Sequence, residues 1–295
     1  VSKRSGEDFV MDGILNVLKP AGMTSFDVIS LLRRIYHQKK IGHGGTLDPM
    51  AAGGLPVFMG KATRLIEYAP IHKKTYVAEF IMGFATDTED VMGSIVEEGR
   101  PIADEKVWRE ACARFEGDIQ QVPSAFSAIK VKGKRAYDLA RNGEKVELPA
   151  RPVHIYSIEL LEVCPPYVRM KVICSSGTYI RALGRDIGKA AGCPLSMSFL
   201  LRTEMGTFTV EEARTLEEIE ASPESAIMAD IRPLFREMKD ITLDEDMSDG
   251  FLTGKRLRVY REDIPVAAVY GKNRFLGIGE IKHGILHPRK VFGDL

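Results

Sequence analysis

The chain is expected to be an α+β protein, with a large domain on a mixed, mostly antiparallel sheet flanked by helices and a small, mostly β domain after it. Three observations lead there. Apolar residues alternate along segments such as Lys74 to Met82, the period of a half-buried strand, while other segments repeat them at three and four, the period of a helix. Beyond Pro233 the pattern changes to short β-rich runs separated by glycine turns. The length, 295 residues with 44% hydrophobic and 28% charged, suffices for one large core and a second small one.

Residues 1–10 lack the apolar core of a signal peptide and read as a flexible extension. Gly13 to Val17 is a short strand that ends at Lys19-Pro20, where proline turns the chain. Thr24 or Ser25 caps a helix running to about Tyr36, with Val28, Leu31, Leu32 and Ile35 on one face. Lys40 to Pro56 holds five glycines, two prolines and one carboxylate, Asp48. Glycine and proline together fix unusual backbone angles, so this stretch is expected to be a rigid, exposed loop that presents the carboxylate. Ala62 to Ala69 reads as one short helix.

Lys74 to Met82 places Tyr76, Ala78, Phe80 and Met82 on one side of a strand, and Gly83 to Gly93 is a turn-rich reversal. Asp104 to Phe115 is an amphipathic helix carrying the single tryptophan, Trp108. Val153 to Val163 and Tyr167 to Cys174 are two strands joined at Pro165-Pro166. A helix begins at Gly177 with Ile180, Leu183 and Ile187 facing inward, and Arg181 one step round, placed to point toward a cleft. Glu211 to Asp230 reads as a solvated helix, or two broken at Pro223. Leu257 to Tyr260, Pro265 to Val269 and Phe275 to Ile281 are the strands of the small domain. The expected boundaries are 11–230 for the large domain, with a basic insert at 127–150, and 231–295 for the small one.

Formal net charge is zero, so any nucleic-acid role must rest on local patches. Residues 127–145 carry six cations against two acids, +4; residues 251–295 carry nine against four, +5. Residues 211–230, by contrast, carry one cation against seven acids, −6. A basic segment broken by Gly133 suits a piece of chain that closes over a phosphate backbone. Cys112, Cys164, Cys174 and Cys193 form no C-x-x-C pair and have no histidine at zinc-ligand spacing, so reduced thiols in a cytoplasmic protein are expected. The sequence lacks a Walker loop, an H-E-x-x-H pair, a dinucleotide fingerprint and any apolar run of about 18 residues. Neither cofactor, metal nor membrane is therefore expected.

The stretch G-H-G-G-T-L-D-P-M-A-A-G-G-L-P, Gly42 to Pro56, closely resembles the signature of the TruB class of pseudouridine synthases. Gly44 stands where threonine is commoner and Gly54 where valine or leucine is usual. Further blocks match in family order from residue 13 to 208: N-V-x-K-P-x-G-x-T-S, K-x-Y, T-D-T-x-D-x-x-G, the basic segment 121–143, and S-G-T-Y-I-R after Cys174. Ser124 and Leu201 depart from the pattern, replacing a proline and an arginine. By position the C-terminal part resembles the PUA-type RNA-binding domain.

The resemblance implies an enzyme that turns one uridine of the tRNA T-loop, at position 55, into pseudouridine. Asp48 would be the reacting carboxylate, Arg181 the cation that keeps it charged and aimed, and Tyr76 the residue that stacks on the uracil and takes the proton from C5. Leu200 would wall the pocket, and His43 would fill the gap left by the flipped base. Asp87 would bond neighbouring flipped nucleotides. Lys19, Lys130, Lys132, Arg141, Tyr179 and Arg202 complete the expected RNA contacts. The substrate partner is the tRNA T-arm, and the enzyme is expected to act as a monomer without a protein partner. Two rivals share the basic patches. A non-catalytic RNA-binding chaperone would have no use for an Asp, a Tyr and an Arg presented by three segments, and a guide-RNA-dependent synthase usually lacks the long basic insert.

Overall fold

The computed structural model describes residues 11–124, 126, 148–272 and 274–292, with the backbone of 130–131 and 134–135. Strand β1, Gly13–Lys19, is followed by helix α1, Ser25–Ile35. Thr24 caps α1, its hydroxyl accepting from the Asp27 N–H while the Asp27 carboxylate accepts from the Thr24 N–H. Such a cap is worth about 1 kcal/mol. Val28, Ile29 and Leu32 turn inward to pack on Leu15, Val17, Leu55 and Val57.

The glycine-rich stretch is less of a loop than its composition suggests. Its ends are strands, β2 at Ile41–His43 and β3 at Ala52–Met59. β3 runs antiparallel to β1 and to β2, with Pro56 opposite Asn16 and Leu55 opposite Val17. Sequence reasoning missed β3 because two glycines and a proline suppress strand propensity. Here the burial of Leu55, Val57 and Phe58 outweighs it. A 3₁₀ turn, Gly60–Leu65, takes the place of the expected helix at 62–69.

Next come β4 (Lys73–Met82), β5 (Phe84–Thr86), β6 (Ile95–Glu98), α2 (Glu105–Ala113) and β7 (Gly117–Gln121). Short strands β8 (Lys130–Val131) and β9 (Lys134–Arg135) pair with each other inside the basic insert. Most of that insert lies outside the described residues. β10 (Arg151–Cys164) and β11 (Tyr167–Ser175) form the expected hairpin; α3 (Ile180–Ala191) and β12 (Leu195–Met205) follow. α3 starts three residues after Gly177.

After the two-residue strand β13 (Phe208–Thr209), the acidic stretch holds a single short helix, α4 (Leu216–Ala221). The C-terminal sheet comprises β14 (Lys239–Thr242), β15 (Leu257–Arg258), β16 (Ile264–Tyr270), β17 (Phe275–Lys282) and β18 (Ile285–Val291), in the order β14-β16-β17-β18-β15. Helix α5, Glu245–Leu252, joins β14 to β15, and Phe251, Val269, Leu276 and Leu286 close a core of their own. β14 pairs parallel with β16; the other pairs in this sheet are antiparallel.

By contact the chain divides into two compact units. One takes the chain up to Pro49, Gly53–Ile71 and everything from Gly206 on; the other is Met50–Ala52 with His72–Met205. In the second unit β12, β4, β11, β10 and β7 lie side by side in that order, all antiparallel. Helix α3 packs on the β4 face, and a Cβ on Gly184 would lie 2.0 Å from the Phe80 ring. Only glycine permits that approach.

Candidate active site

In the first unit, Asp48 sits between two anchored neighbours. The buried Ser25 hydroxyl donates to the Leu47 carbonyl at 3.2 Å and accepts from the Leu47 N–H at 2.9 Å. On the other side, the Pro49 carbonyl accepts from the Gly22 N–H at 2.7 Å and from Lys19 Nζ at 3.4 Å. Gly22 has φ +91, a backbone angle that a side chain would strain. The 19–25 turn therefore grips the residues before and after Asp48, which is itself half-buried. His43, at the end of β2, is half-buried.

Lys19 was expected to meet RNA, and its position corrects that. The side chain is fully buried, and its ammonium donates to the carbonyls of Pro20, Met23 and Pro49. It organises the loop and offers RNA no surface in this structure.

In the second unit, Tyr76 lies in mid-β4 opposite Val172 on β11 and Arg202 on β12. Directly opposed residues of antiparallel strands share a face, so Tyr76, Ala78, Leu200 and Arg202 form one cross-strand square. Tyr76 and Leu200 are buried. Arg202 is a second correction: it is fully buried and hydrogen bonds to the Tyr76 hydroxyl. Burial holds its pKa below the ordinary value, and the bond to Tyr76 works the other way. Lys74, two residues before Tyr76 and on the same face, is lowered to about 8 by burial first and by the charge of Arg202 second.

Arg181 projects from the first turn of α3 and is almost wholly buried. Its Nη1 donates to the Thr88 carbonyl at 2.9 Å and lies 3.3 Å from Asp90 Oδ2; its Nη2 donates to the Phe126 carbonyl at 3.0 Å. Asp90 Oδ1 accepts from the Thr88 hydroxyl and the Met92 N–H. Sequence reasoning expected Asp48 as the partner of Arg181 and did not foresee Asp90, although the second aspartate of the T-D-T-x-D block was the available signal.

Asp87, in the same block, is exposed and uses one oxygen to hold the Ser94 N–H. Tyr179 is half-buried at the start of α3, its backbone N–H and C=O both bonded to the Gln121 side chain. Lys130 is described only as backbone, while Lys132 and Arg141 lie outside the described residues. Among the described residues no cluster of metal-ligating side chains occurs, and no helix is long and apolar enough to cross a membrane.

Comparison with known proteins agrees with the motif reading. Residues 33–180 match the model of the TruB family pseudouridylate synthase N-terminal domain, and residues 240–292 that of the pseudouridine synthase II TruB C-terminal region. Over 288 residues the chain is 44% identical to tRNA pseudouridine synthase B of Caldanaerobacter subterraneus subsp. tengcongensis, covering 96% of this chain and 99% of that protein. With the protein of the same name from Bacillus pumilus the identity is 42% over 312 residues, covering 97% and 99%. Among solved structures, a chain of an H/ACA RNP bound to a substrate RNA containing 2′-deoxyuridine superposes with a TM-score of 0.70 at 24% identity, over 95% of this chain and 85% of that one. That likeness shows the fold.

Proposed function

Because the chain belongs to the TruB family of pseudouridylate synthases, we propose that it acts alone on tRNA and isomerises the T-loop uridine at position 55. The observation that carries the reading is the grip on the residues either side of Asp48: Leu47 and Pro49 are both tied to the 19–25 turn, which fixes the backbone from which the carboxylate projects. The reaction breaks the C1′–N1 bond, turns the uracil, joins C1′ to C5, moves the C5 proton away and leaves N1 protonated. The atoms balance without a second reactant.

In this reading the Asp48 carboxylate is the nucleophile or base, and Arg181 supplies the positive charge that favours its ionised form. Tyr76 stacks on the flipped uracil and receives the C5 proton, against the apolar wall of Leu200. His43 fills the vacated stack and Asp87 bonds the neighbouring nucleotides. Residues 11–230 do the chemistry, while the basic insert and residues 231–295 add affinity for the phosphate backbone. The enzyme works as a monomer in the cytoplasm.

The test is to incubate the purified chain with unmodified tRNA, without guide RNA or other protein, and to map pseudouridine by mass-resolved fragment analysis. Stoichiometric conversion at position 55 is expected. Conversion elsewhere overturns the site assignment, and conversion only when a guide RNA is added favours the rival whose fold this chain shares.

A further inference from the structure

On α3, Arg181 and Arg185 stand one turn apart and make the same kind of junction twice. Arg181 joins Asp90 of the T-D-T loop to the Phe126 carbonyl; Arg185 forms an ion pair with Glu89 of that loop and donates to the Val122 carbonyl at 3.0 Å. Asp186 steadies the Arg185 guanidinium by a two-point contact at 2.9 and 3.1 Å. The two carbonyls lie where the chain leads into the basic insert.

Glu89 is the hinge of this arrangement. It is buried and adopts φ +65, a left-handed angle that persists in a non-glycine residue only where the surroundings enforce it. Its peptide links the two groups that Arg181 holds, the Thr88 carbonyl before it and the Asp90 carboxylate after it. Its own carbonyl accepts from the Met197 N–H at 3.0 Å, whose carbonyl in turn accepts from Val91. Burial raises the Glu89 pKa, opposed by Arg185 and Arg181, and its Oε2 has no hydrogen-bond partner among the described residues. A carboxylate kept at such a cost is held for its position rather than for its own stability.

We propose that Arg185 is a positioning residue for pseudouridine formation: through Glu89 and the Val122 carbonyl it fixes the loop and the insert stem against which Arg181 is aimed. The inference rests on the functional reading given above, in which Arg181 serves the chemistry. Arg185 touches neither reacting atoms nor RNA in this role, so its loss changes turnover and leaves tRNA affinity in place.

The experiment compares wild type with Arg185→Gln, Arg185→Lys, Glu89→Gln and the Arg185→Gln, Glu89→Gln double variant. Single-turnover pseudouridine formation at saturating tRNA is measured beside equilibrium tRNA binding and hydrogen exchange of the amides from residue 86 to 92. Arg185→Gln and Glu89→Gln should each slow the rate about tenfold with the dissociation constant within about threefold. The double variant should be no slower than the slower single, because both break one unit. Arg185→Lys should recover part of the rate, since an ammonium can meet Glu89 but cannot span to Val122 as the planar fork does.

Amide exchange at residues 89–91 should quicken in the Gln variants while the melting temperature stays within a few degrees. Weaker binding with an unchanged saturated rate would overturn the proposal, making Arg185 a phosphate contact. Multiplicative losses in the double variant, or a rate loss that merely follows a collapsed melting temperature, would overturn it too. A wild type that makes no pseudouridine in tRNA would contradict the functional reading; unchanged exchange in Arg185→Gln would contradict the positioning role whether or not the wild type turns over.

Discussion

Around Asp48 the fold holds a loop by its backbone: carbonyls and N–H groups of Leu47 and Pro49 meet Ser25, Gly22 and Lys19. Around Arg181 it holds side chains by charge: two arginines, two consecutive acids and a buried Tyr76–Arg202 pair. The first kind of hold acts on the backbone before and after the carboxylate, with one buried lysine among its donors. The second fixes a cation in a dry setting, where removing either partner strands a charge at about 3–5 kcal/mol. In the second region Lys74 and Arg202 are lowered and Glu89 is raised, burial being the first cause each time.

Among residues that hold the site rather than react, Arg181 should show the largest effect. Arg181→Met is expected to slow single turnover about a hundredfold or more with tRNA affinity within a few-fold, and Arg181→Lys should not restore full rate, because lysine cannot bridge Thr88, Asp90 and Phe126 at once. Weakened binding with a steep change in salt dependence would move Arg181 to the phosphate-binding surface.

Lys19→Met sharpens the contrast from the other side. Three carbonyls lose a buried donor, so urea unfolding should report a loss of about 1–3 kcal/mol. The slope of log affinity against log salt should not change. A slope reduced by about 0.7–0.9 would identify Lys19 as a phosphate contact after all.

A smaller effect is expected from Ser25→Ala, which removes the reciprocal bonds to Leu47 and leaves the Thr24 cap of α1 intact. About 1 kcal/mol of stability and a several-fold loss in turnover should follow. Turnover equal to wild type would show that Pro49 and its partners suffice to fix Asp48.

Lys74 gives the most pH-dependent effect, one on stability and not on turnover. Its folded pKa of about 8 lies below the ordinary 10.5, so below pH 8 it is charged in both states and its burial destabilises the fold in full. Between about pH 8 and 10.5 the unfolded chain binds the extra proton, and stability gains with rising pH. Cys174, raised to about 11 by burial, pulls the other way above pH 9. Lys74→Met should lack the gain, so its stability advantage over wild type should shrink between pH 7 and pH 9; an advantage independent of pH would contradict the shift.

Much of the second region was legible in the sequence. Period-two alternation located β4, and the buried faces of Tyr76, Ala78, Phe80 and Met82 follow it. Helix α3 was legible from Ile180, Leu183 and Ile187. The charged junctions were not, because Arg185 and Glu89 are 96 residues apart and no periodicity joins them. Lys19 and Arg202 misled for a related reason: a cation usually marks the surface, and only the tertiary structure reveals that carbonyls and a tyrosine enclose these two. β3 and α5 were missed where glycine, proline or acidic residues mask a segment whose order comes from packing.

The most direct test of the account is single-turnover pseudouridine formation by Asp48→Asn at saturating tRNA, with binding measured in parallel. The amide keeps the shape of the side chain and leaves the ties of Leu47 and Pro49 in place, but it cannot carry the charge a nucleophile or base needs. The account predicts a rate below about a thousandth of wild type and a dissociation constant within a few-fold. A variant that binds tRNA normally and still forms pseudouridine above that level would contradict the assignment of Asp48 as the reacting group.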